Sequence, residues 1–550
     1  MEYAFPERDI MSSKLIKGTF ILTLGTFISK FLGLFYVIPF DELLKGHEEG
    51  ASLYQYGYVP YTIFLTVATA GVPLAVSKFV SKYNAIGEYA VGRKLFKSGL
   101  LLMTLTGILS FLVMYIFAPV FAEMTIKSDE QVISVAQVTT VIRAVSFALL
   151  IIPFMSLIRG FFQGHQSMGP TAVSQVIEQI VRIIFLLGGI YVVLDVMDGS
   201  VTTAISVATF AAFVGGLASL AVLIWYWFKR KPHLDVLLEE DRGEADVSLP
   251  KMYKEIIAYS IPFIFVGLAN PLFQLVDQIT FNTAMADIGN AKVSDHAFAV
   301  LNFYTHKLVI IPVSLATAFS MTLIPLITSS YTSGDRKTMR RNIDQSFQIL
   351  LFLTVPASIG IALLAEPTYT LFYHSDELGT SILRTYAPVA ILFALFAVTA
   401  AILQGIDEQK FTIFSLLVGL LLKLVLNIPL IRMFETQGAV MATTIGYAVA
   451  IAINLYIIKK YARYKFELIF RRTVAIGIMN VVMAVVVLIL YGILKQFLNP
   501  ASGFQSIILV AVCGGAGALV YFYLSLRSKL ADKLFGDRIS KIRSRLRIGS

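Results

Sequence analysis

The sequence predicts an all-α polytopic membrane protein. It has fourteen transmembrane helices, forming two six-helix pseudo-symmetric lobes with two further helices at the C-terminal end. Three observations predict this. Of 550 residues, 57% are hydrophobic and only 15% are charged, where a soluble chain carries about a quarter charged residues. The apolar residues fall in long unbroken runs, not in the ten-residue alternating segments of a transmembrane barrel. Two stretches of the chain also repeat each other at a spacing that pairs helices six apart. The composition excludes a soluble multidomain enzyme, a disordered chain and a fibrous protein. The single cysteine, Cys513, excludes an intrachain disulfide and a cysteine-based zinc site.

A helix needs about 20 apolar residues to cross a bilayer. Such runs lie near 14–40, 57–82, 95–121, 132–158, 170–194, 201–228, 253–283, 297–330, 344–373, 382–404, 411–431, 437–459, 471–496 and 503–527. The first is not a cleaved signal peptide: Gly18 to Phe40 is too long, and no small-residue cleavage site follows it. With the N-terminus in the cytoplasm, 34 of the 45 Lys and Arg residues fall on the inner side and 6 on the outer. The remaining 5 lie inside spans. That asymmetry predicts both termini inside, and it accounts for the net charge of +10 without nucleic acid. The basic tail, 528–550, either lies against anionic lipid or is simply solvated.

Residues 163–182 match 404–423 without gaps: Gln163-Gly164 meets Gln404-Gly405, Ser174 meets Ser415, and Arg182 meets Lys423. A second match joins Ala68-Thr69-Ala70 to Ala316-Thr317-Ala318, with Arg93 meeting Arg341. Six is an even number of crossings, so both halves insert the same way up. The expected organisation is a lobe over 1–228, a cytoplasmic linker over 229–252 with Pro232 and Pro250, and a lobe over 253–460. Helices thirteen and fourteen, 461–527, fall outside the repeat. Parallel repeats of this kind place a substrate site between lobes.

Seven ionisable residues sit well inside the spans: Lys30, Arg143, Glu178, Arg182, Asp277, Lys307 and Lys423. Each costs about 2.5–3.5 kcal/mol at a helix centre, so each should face protein or water. Five are cations and two are acids, a surplus that predicts an anionic ligand.

In the first helix, Gly25, Ser29 and Gly33 share one face that permits close helix approach. Lys30 lies beside it, as an anion contact or a structural tether. Arg143 in the fourth helix touches substrate or is structural. The fifth carries Thr171, Ser174, Gln175, Glu178 and Arg182 as one polar stripe. Glu178 and Arg182, four apart, can pair on the same face. Arg182 is then shared with substrate, or the pair is self-satisfied. The seventh carries Asn270, Gln274, Asp277 and Gln278. Asp277 either accepts a proton or coupling cation or neutralises Lys307 or Lys423. The eighth carries Asn302, His306 and Lys307 before Pro312. Lys307 is a second anion contact, and His306 reads as a hydrogen-bonded core residue. Lys423 in the eleventh is a substrate contact, a coupling residue or structural. Prolines and glycines inside the spans read as kinks and close-packing points. No HExxH motif, Walker A motif or Cys/His cluster is present. The chain is therefore expected to be no enzyme, with no metal and no cofactor.

Ser29-Lys30-Phe31-Leu32-Gly33 resembles the first-helix signature of the MurJ lipid II flippases, within the multidrug/oligosaccharidyl-lipid/polysaccharide (MOP) exporter superfamily. That family commonly has Arg where Lys30 stands. Lys307, five residues before Pro312, matches an essential basic position on the eighth helix. The stretch RGFFQGHQSMGPTAVSQVIEQIVR, from Arg159 to Arg182, is similar to the YtgP/SpoVB branch. Two further family arginines have no counterpart: Tyr36 stands at one place and Leu65 near the other. Arg143, Arg182 and Lys423 are the candidate substitutes.

The resemblance implies a MOP/MATE-like fold. It implies export of lipid II, by alternating access, from the inner to the outer leaflet of the bacterial cytoplasmic membrane for cell-wall synthesis and division. The partners implied are a polyprenyl-pyrophosphate-linked glycan, membrane lipids and cell-wall synthesis or division proteins, with no nucleic acid. The two extra helices would hold the polyprenyl tail. Four other readings stay open: export of a teichoic, capsular or spore-cortex precursor, a drug/cation antiporter, an enzyme of polyprenyl phosphates, and a non-transporting division scaffold.

Overall fold

The computed structural model describes residues 21–22, 24–243, 248–321 and 324–535. The start of the first predicted span and most of the basic tail lie outside the described residues. All regular structure among the described residues is helical. The membrane-length helices are α1 (Leu24–Leu43), α2 (Glu49–Ala85), α3 (Tyr89–Ile116), α4 (Val135–Gly164), α5 (Gly169–Val196), α6 (Val201–Glu239) and α7 (Pro250–Asp287). They continue with α8 (Ala291–Ser314), α9 (Arg336–Leu363), α11 (Lys410–Phe434), α12 (Thr436–Tyr461), α13 (Glu467–Leu494) and α14 (Gly503–Arg527). Between α9 and α11, α10 is a bent pair, Glu377–Tyr386 and Val389–Gly405, meeting at 41°. The fourteen expected spans are thus thirteen long helices and one broken one, and the chain is a multi-pass membrane protein.

Local chemistry explains the breaks. α2 is two helices joined at Ala70-Gly71. Gly71 adopts φ +79°, and a Cβ there would lie 2.9 Å from Ser260 Cα. Only glycine meets both demands. α4 starts from Ser134, whose side chain and Gln137 form a reciprocal capping box. It tightens to a 3₁₀ turn at Phe147–Leu150, then restarts with Pro153 in its first turn. Inside α8, Val300–Thr305 widens into a π-helix, and Thr305 Oγ1 donates to the carbonyls of Val300 and Leu301.

The chain divides into two compact units, 1–278 and 279–550. In the first, glycines bring α2 and α4 together. A Cβ on Gly57 would lie 2.6 Å from Val141, one on Gly160 2.6 Å from the carbonyl oxygen of Pro73, and one on Gly164 2.6 Å from Val80. These contacts suit a lipid environment, where association depends on close packing. Phe96, Phe161 and Trp227 stack beside them in a buried cluster. The linker expected over 229–252 is not a loop throughout: α6 continues as helix to Glu239, with Pro232 inside it. Its extension is held by Asp235, which pairs with Arg93 and Lys231, and by the backbone bond from Arg242 to Gly87.

In the second unit, α11 and α12 form a tight hairpin in which a Cβ on Gly419 would lie 2.5 Å from Gly446 O. α14 docks through Gly517 against Val487 of α13, and its Tyr521 hydroxyl donates to Phe352 O of α9. Phe470, Phe504 and Leu519 leave the outer sides of α13 and α14 apolar and exposed.

Candidate functional site

The predicted small-residue face of α1 docks on α5. A Cβ on Gly25 would lie 2.8 Å from Ala172 Cβ, and one on Gly33 3.1 Å from Gln179 Nε2. Thr26 Oγ1 donates to Gln175 Oε1 at 3.1 Å, and Ser29 Oγ to Gln175 O at 3.4 Å. Lys30 sits on the flank of this contact and is exposed.

The predicted stripe on α5 divides among four neighbouring helices. Gln175 turns to α1, as does Gln179, which the predicted stripe did not include. Ser174 and Glu178 turn to α4 and α6. Arg182 turns to α2.

The Glu178–Arg182 pair that this spacing allows does not form. Glu178 Oε2 instead accepts from Arg159 Nη2 at 2.7 Å. The same Nη2 donates to Ser219 Oγ of α6 at 2.8 Å, while Arg159 Nε donates to Ser174 Oγ at 2.9 Å. Three helices thus converge on one guanidinium whose side chain is 13% exposed. The physical reason is that Arg159 satisfies several acceptors at once, a fixed fork matched to a carboxylate and two hydroxyls.

Arg182, released from Glu178, donates to Tyr58 Oη at 2.6 Å and Tyr54 Oη at 3.3 Å, and its guanidinium lies over the Tyr58 ring. It has no carboxylate partner among the described residues.

The loop count assigns Arg159 to the cytoplasmic side, but α4 carries it inside the bundle. A signal was available. α4 and α5 form an antiparallel hairpin turning at 165–168, so residues equally far from the turn face each other. Arg159 falls opposite Ser174 by that spacing, and Glu178 is one helical turn further along α5. The tyrosines of α2 carried no comparable signal.

Arg143 is placed apart from this cluster. Its Nε donates to Tyr115 O at 3.4 Å near the end of α3, and its guanidinium stacks on the Tyr115 ring. That is a helix-end contact, favourable to a cation. Asp277 is buried at 4% exposure on α7. Beside it in sequence, Gln278 Nε2 donates to Tyr56 O and Thr125 Oγ1.

In the second unit, Lys307 is half-buried with its Nζ 3.9 Å from the Phe303 ring centroid. His306 Nδ1 lies 2.9 Å from Tyr386 Oη, in hydrogen-bond contact. Lys423 is 1% exposed and donates to Thr443 Oγ1 at 2.8 Å. One turn on, Asn427 Nδ2 donates to Thr280 Oγ1 at 2.7 Å. Where the repeat aligns the Arg159 cluster, this unit has a neutral one: Ser415 Oγ donates to Asn454 Oδ1, and Asn454 Nδ2 donates to Thr399 Oγ1. Among the described residues no group of three His, Cys, Asp or Glu side chains could hold a metal ion. What these helices hold within the membrane is a set of fixed cations, Arg159, Arg182 and Lys423 among them.

Known proteins resemble this chain over most of its length. A family model described as "Polysaccharide biosynthesis protein" matches residues 15–331, and one described as "MatE" matches 272–428. The chain is 48% identical over 535 residues to "Lipid II flippase MurJ" of Bacillus subtilis (strain 168), covering 96% of this chain and 98% of that protein. A solved structure of "Lipid II flippase MurJ, inward closed conformation" superposes with TM-score 0.65 at 15% identity, covering 92% of this chain and 98% of that one. An inward-facing multidrug resistance MATE transporter of the MOP superfamily superposes with TM-score 0.62 at 13% identity, covering 79% and 94%. At such identities the two structures speak to the fold alone, and the fold is the MOP/MATE-like one expected.

Proposed function

The chain belongs to the MurJ family of polysaccharide biosynthesis proteins, and from that premise we propose that it is a flippase for lipid II. It translocates this lipid-linked peptidoglycan precursor from the inner to the outer leaflet of the bacterial cytoplasmic membrane by alternating access, with both termini cytoplasmic. It is a transporter, not an enzyme.

The observation that carries the proposal is the charge inside the helices. Arg159 raises the intramembrane cations to six, against two acids, Glu178 and Asp277. A low-dielectric interior with surplus positive charge favours an anionic ligand, and a polyprenyl pyrophosphate is one. Lys30 on the open flank of α1, Arg182 among tyrosines and Lys307 on α8 are the proposed contacts. Lys423 and Asp277 are the proposed coupling residues. The exposed apolar surface of α13 and α14 suits a polyprenyl tail. Cell-wall synthesis and division proteins are the partners proposed for the assembled pathway.

The test is purified protein in vesicles with labelled lipid II, alongside rescue of a bacterium depleted of its own flippase. Transfer of lipid II that is lost in Lys30→Ala supports the reading. Rescue without any transfer in vesicles would identify a non-transporting scaffold instead. Transfer of another polyprenyl-linked glycan in preference to lipid II would move the substrate assignment.

A further inference from the structure

From the cluster around α5, we infer that Arg159 is a positioning residue whose task is to withhold Glu178 from Arg182, keeping Arg182 an uncompensated cation for a lipid diphosphate. The inference rests on the anionic-lipid reading above. Glu178 and Arg182 lie one helical turn apart, the spacing at which acid and base pair readily. The pair is nevertheless open: Glu178 is held at 2.7 Å by Arg159, and Arg182 is held by two phenols, at 2.6 and 3.3 Å. Phenol hydroxyls solvate a guanidinium without neutralising it, so its charge is still available to a ligand.

Arg159 is itself over-determined. It bonds Ser174, Glu178 and Ser219 through Nε and Nη2, and its carbonyl accepts from Thr171 Oγ1 at 3.4 Å. Such a hub fixes which of two arginines receives the carboxylate.

In the second unit the helices that correspond by the repeat meet without a charge at this level. At the same offset Arg159 aligns with Ala400, Glu178 with Gly419, Ser174 with Ser415 and Arg182 with Lys423. The second unit closes the equivalent three-helix junction with Thr399, Ser415 and Asn454, all neutral. Buried ion pairs contribute little net stability compared with neutral packing. The charged version in the first unit is therefore explained by what it does to Arg182.

If Arg159 is removed, Glu178 becomes a buried carboxylate whose nearest cation along the helix is Arg182. It turns there and cancels the site. Removing Glu178 as well should reopen it. A merely structural Arg159 makes the opposite prediction, since a second deletion in the hub cannot restore a lost scaffold.

The experiment measures binding of undecaprenyl diphosphate to the full-length protein in nanodiscs, with melting temperature recorded for every variant. Arg159→Gln should weaken binding about tenfold or more. Arg159→Gln with Glu178→Gln should return it to within about threefold of wild type. Arg182→Gln should weaken binding equally, with no rescue by Glu178→Gln. Should Arg159→Gln fail to fold, Ser174→Ala with Ser219→Ala loosens the guanidinium without deleting it. The same loss and the same rescue are then expected. Wild-type binding with an Arg159→Gln variant of equal affinity overturns this inference alone, as does a double variant no better than the single. A wild-type protein that binds no diphosphate lipid overturns the flippase reading and this inference together.

Discussion

Gly25→Ala tests whether the α1–α5 contact sets the position of Lys30. The new Cβ would lie 2.8 Å from Ala172 Cβ, 3.0 Å from its Cα and 3.1 Å from its carbonyl oxygen. Carbon atoms rest at about 3.5–4.0 Å, so the helices must part locally by roughly an ångström. Two of the three obstructing atoms are backbone, so no rotamer change relieves the clash. At that separation the Thr26 and Ser29 bonds to Gln175, already 3.1 and 3.4 Å long, pass beyond hydrogen-bonding distance. Overpacking costs about 1–3 kcal/mol, and each lost hydrogen bond about 0.5–1.5 kcal/mol. The α1–α5 interface is therefore destabilised by about 2–6 kcal/mol. Lys30, little more than one turn from Gly25, moves with α1. The expected outcome is a melting temperature in detergent lower by several degrees, with lipid II transfer strongly reduced. Ala172→Gly in the same chain removes the first obstructing atom, leaving the two backbone atoms, and should recover part of both. A Gly25→Ala protein with wild-type melting and transfer would refute the close-packing argument. A double variant no better than the single would refute the assignment to Ala172.

Other outcomes follow from the same geometry. Lys30→Ala and Lys307→Ala should abolish transport at normal membrane levels, and growth equal to wild type in a flippase-depleted strain would remove that residue from the site. Arg143→Gln loses a charged bond to Tyr115 O and its stacking on the ring. Stability should fall by about 1–3 kcal/mol, with transfer per folded molecule retained, as measured on vesicles normalised for folded protein. Asp376 caps the helix Glu377–Tyr386 and lies 3.1 Å from His296 Nε2. Burial pushes its carboxyl up, but the His296 bond and charge and the nearby backbone N–H groups outweigh burial and hold it below its ordinary 3.8. A depressed carboxyl stabilises the fold above its unfolded pKa, and that contribution is lost as pH falls through the folded value. Asp376→Asn should therefore melt below wild type at neutral pH, with the gap closing below pH 3.8. A gap independent of pH would contradict the assignment.

The α1 contact shows how far the sequence reached. Gly25, Ser29 and Gly33 lie on one face by helical spacing alone, and that face is where α5 docks. His306 likewise proved to be hydrogen-bonded within the core. Arg143 carried no such local cue: its tether is a carbonyl on α3, 28 residues away, and carbonyls are invisible to motif reading. The break in α2 falls at Gly71, beside Pro73, where the glycines and prolines inside the spans read as kinks, but those in α4 and α10 were poorly marked, because a hydropathy run does not register a short 3₁₀ turn or a bend.

By itself the sequence determined the number of spans, the all-helical class and the repeat. Those depend on quantities local to each segment: about 20 apolar residues to cross a bilayer, and a backbone that must satisfy its own hydrogen bonds in lipid. Tertiary structure alone decided which cation neutralises which acid. Spacing on α5 allowed Glu178 to meet Arg182, yet Arg159, 19 residues away, took it. A helix fixes which side chains share its own face, but the competing partner arrives from another helix. Its claim rests on how many acceptors the packed bundle presents to it at once. Arg159 found three, which left Arg182 to the tyrosines.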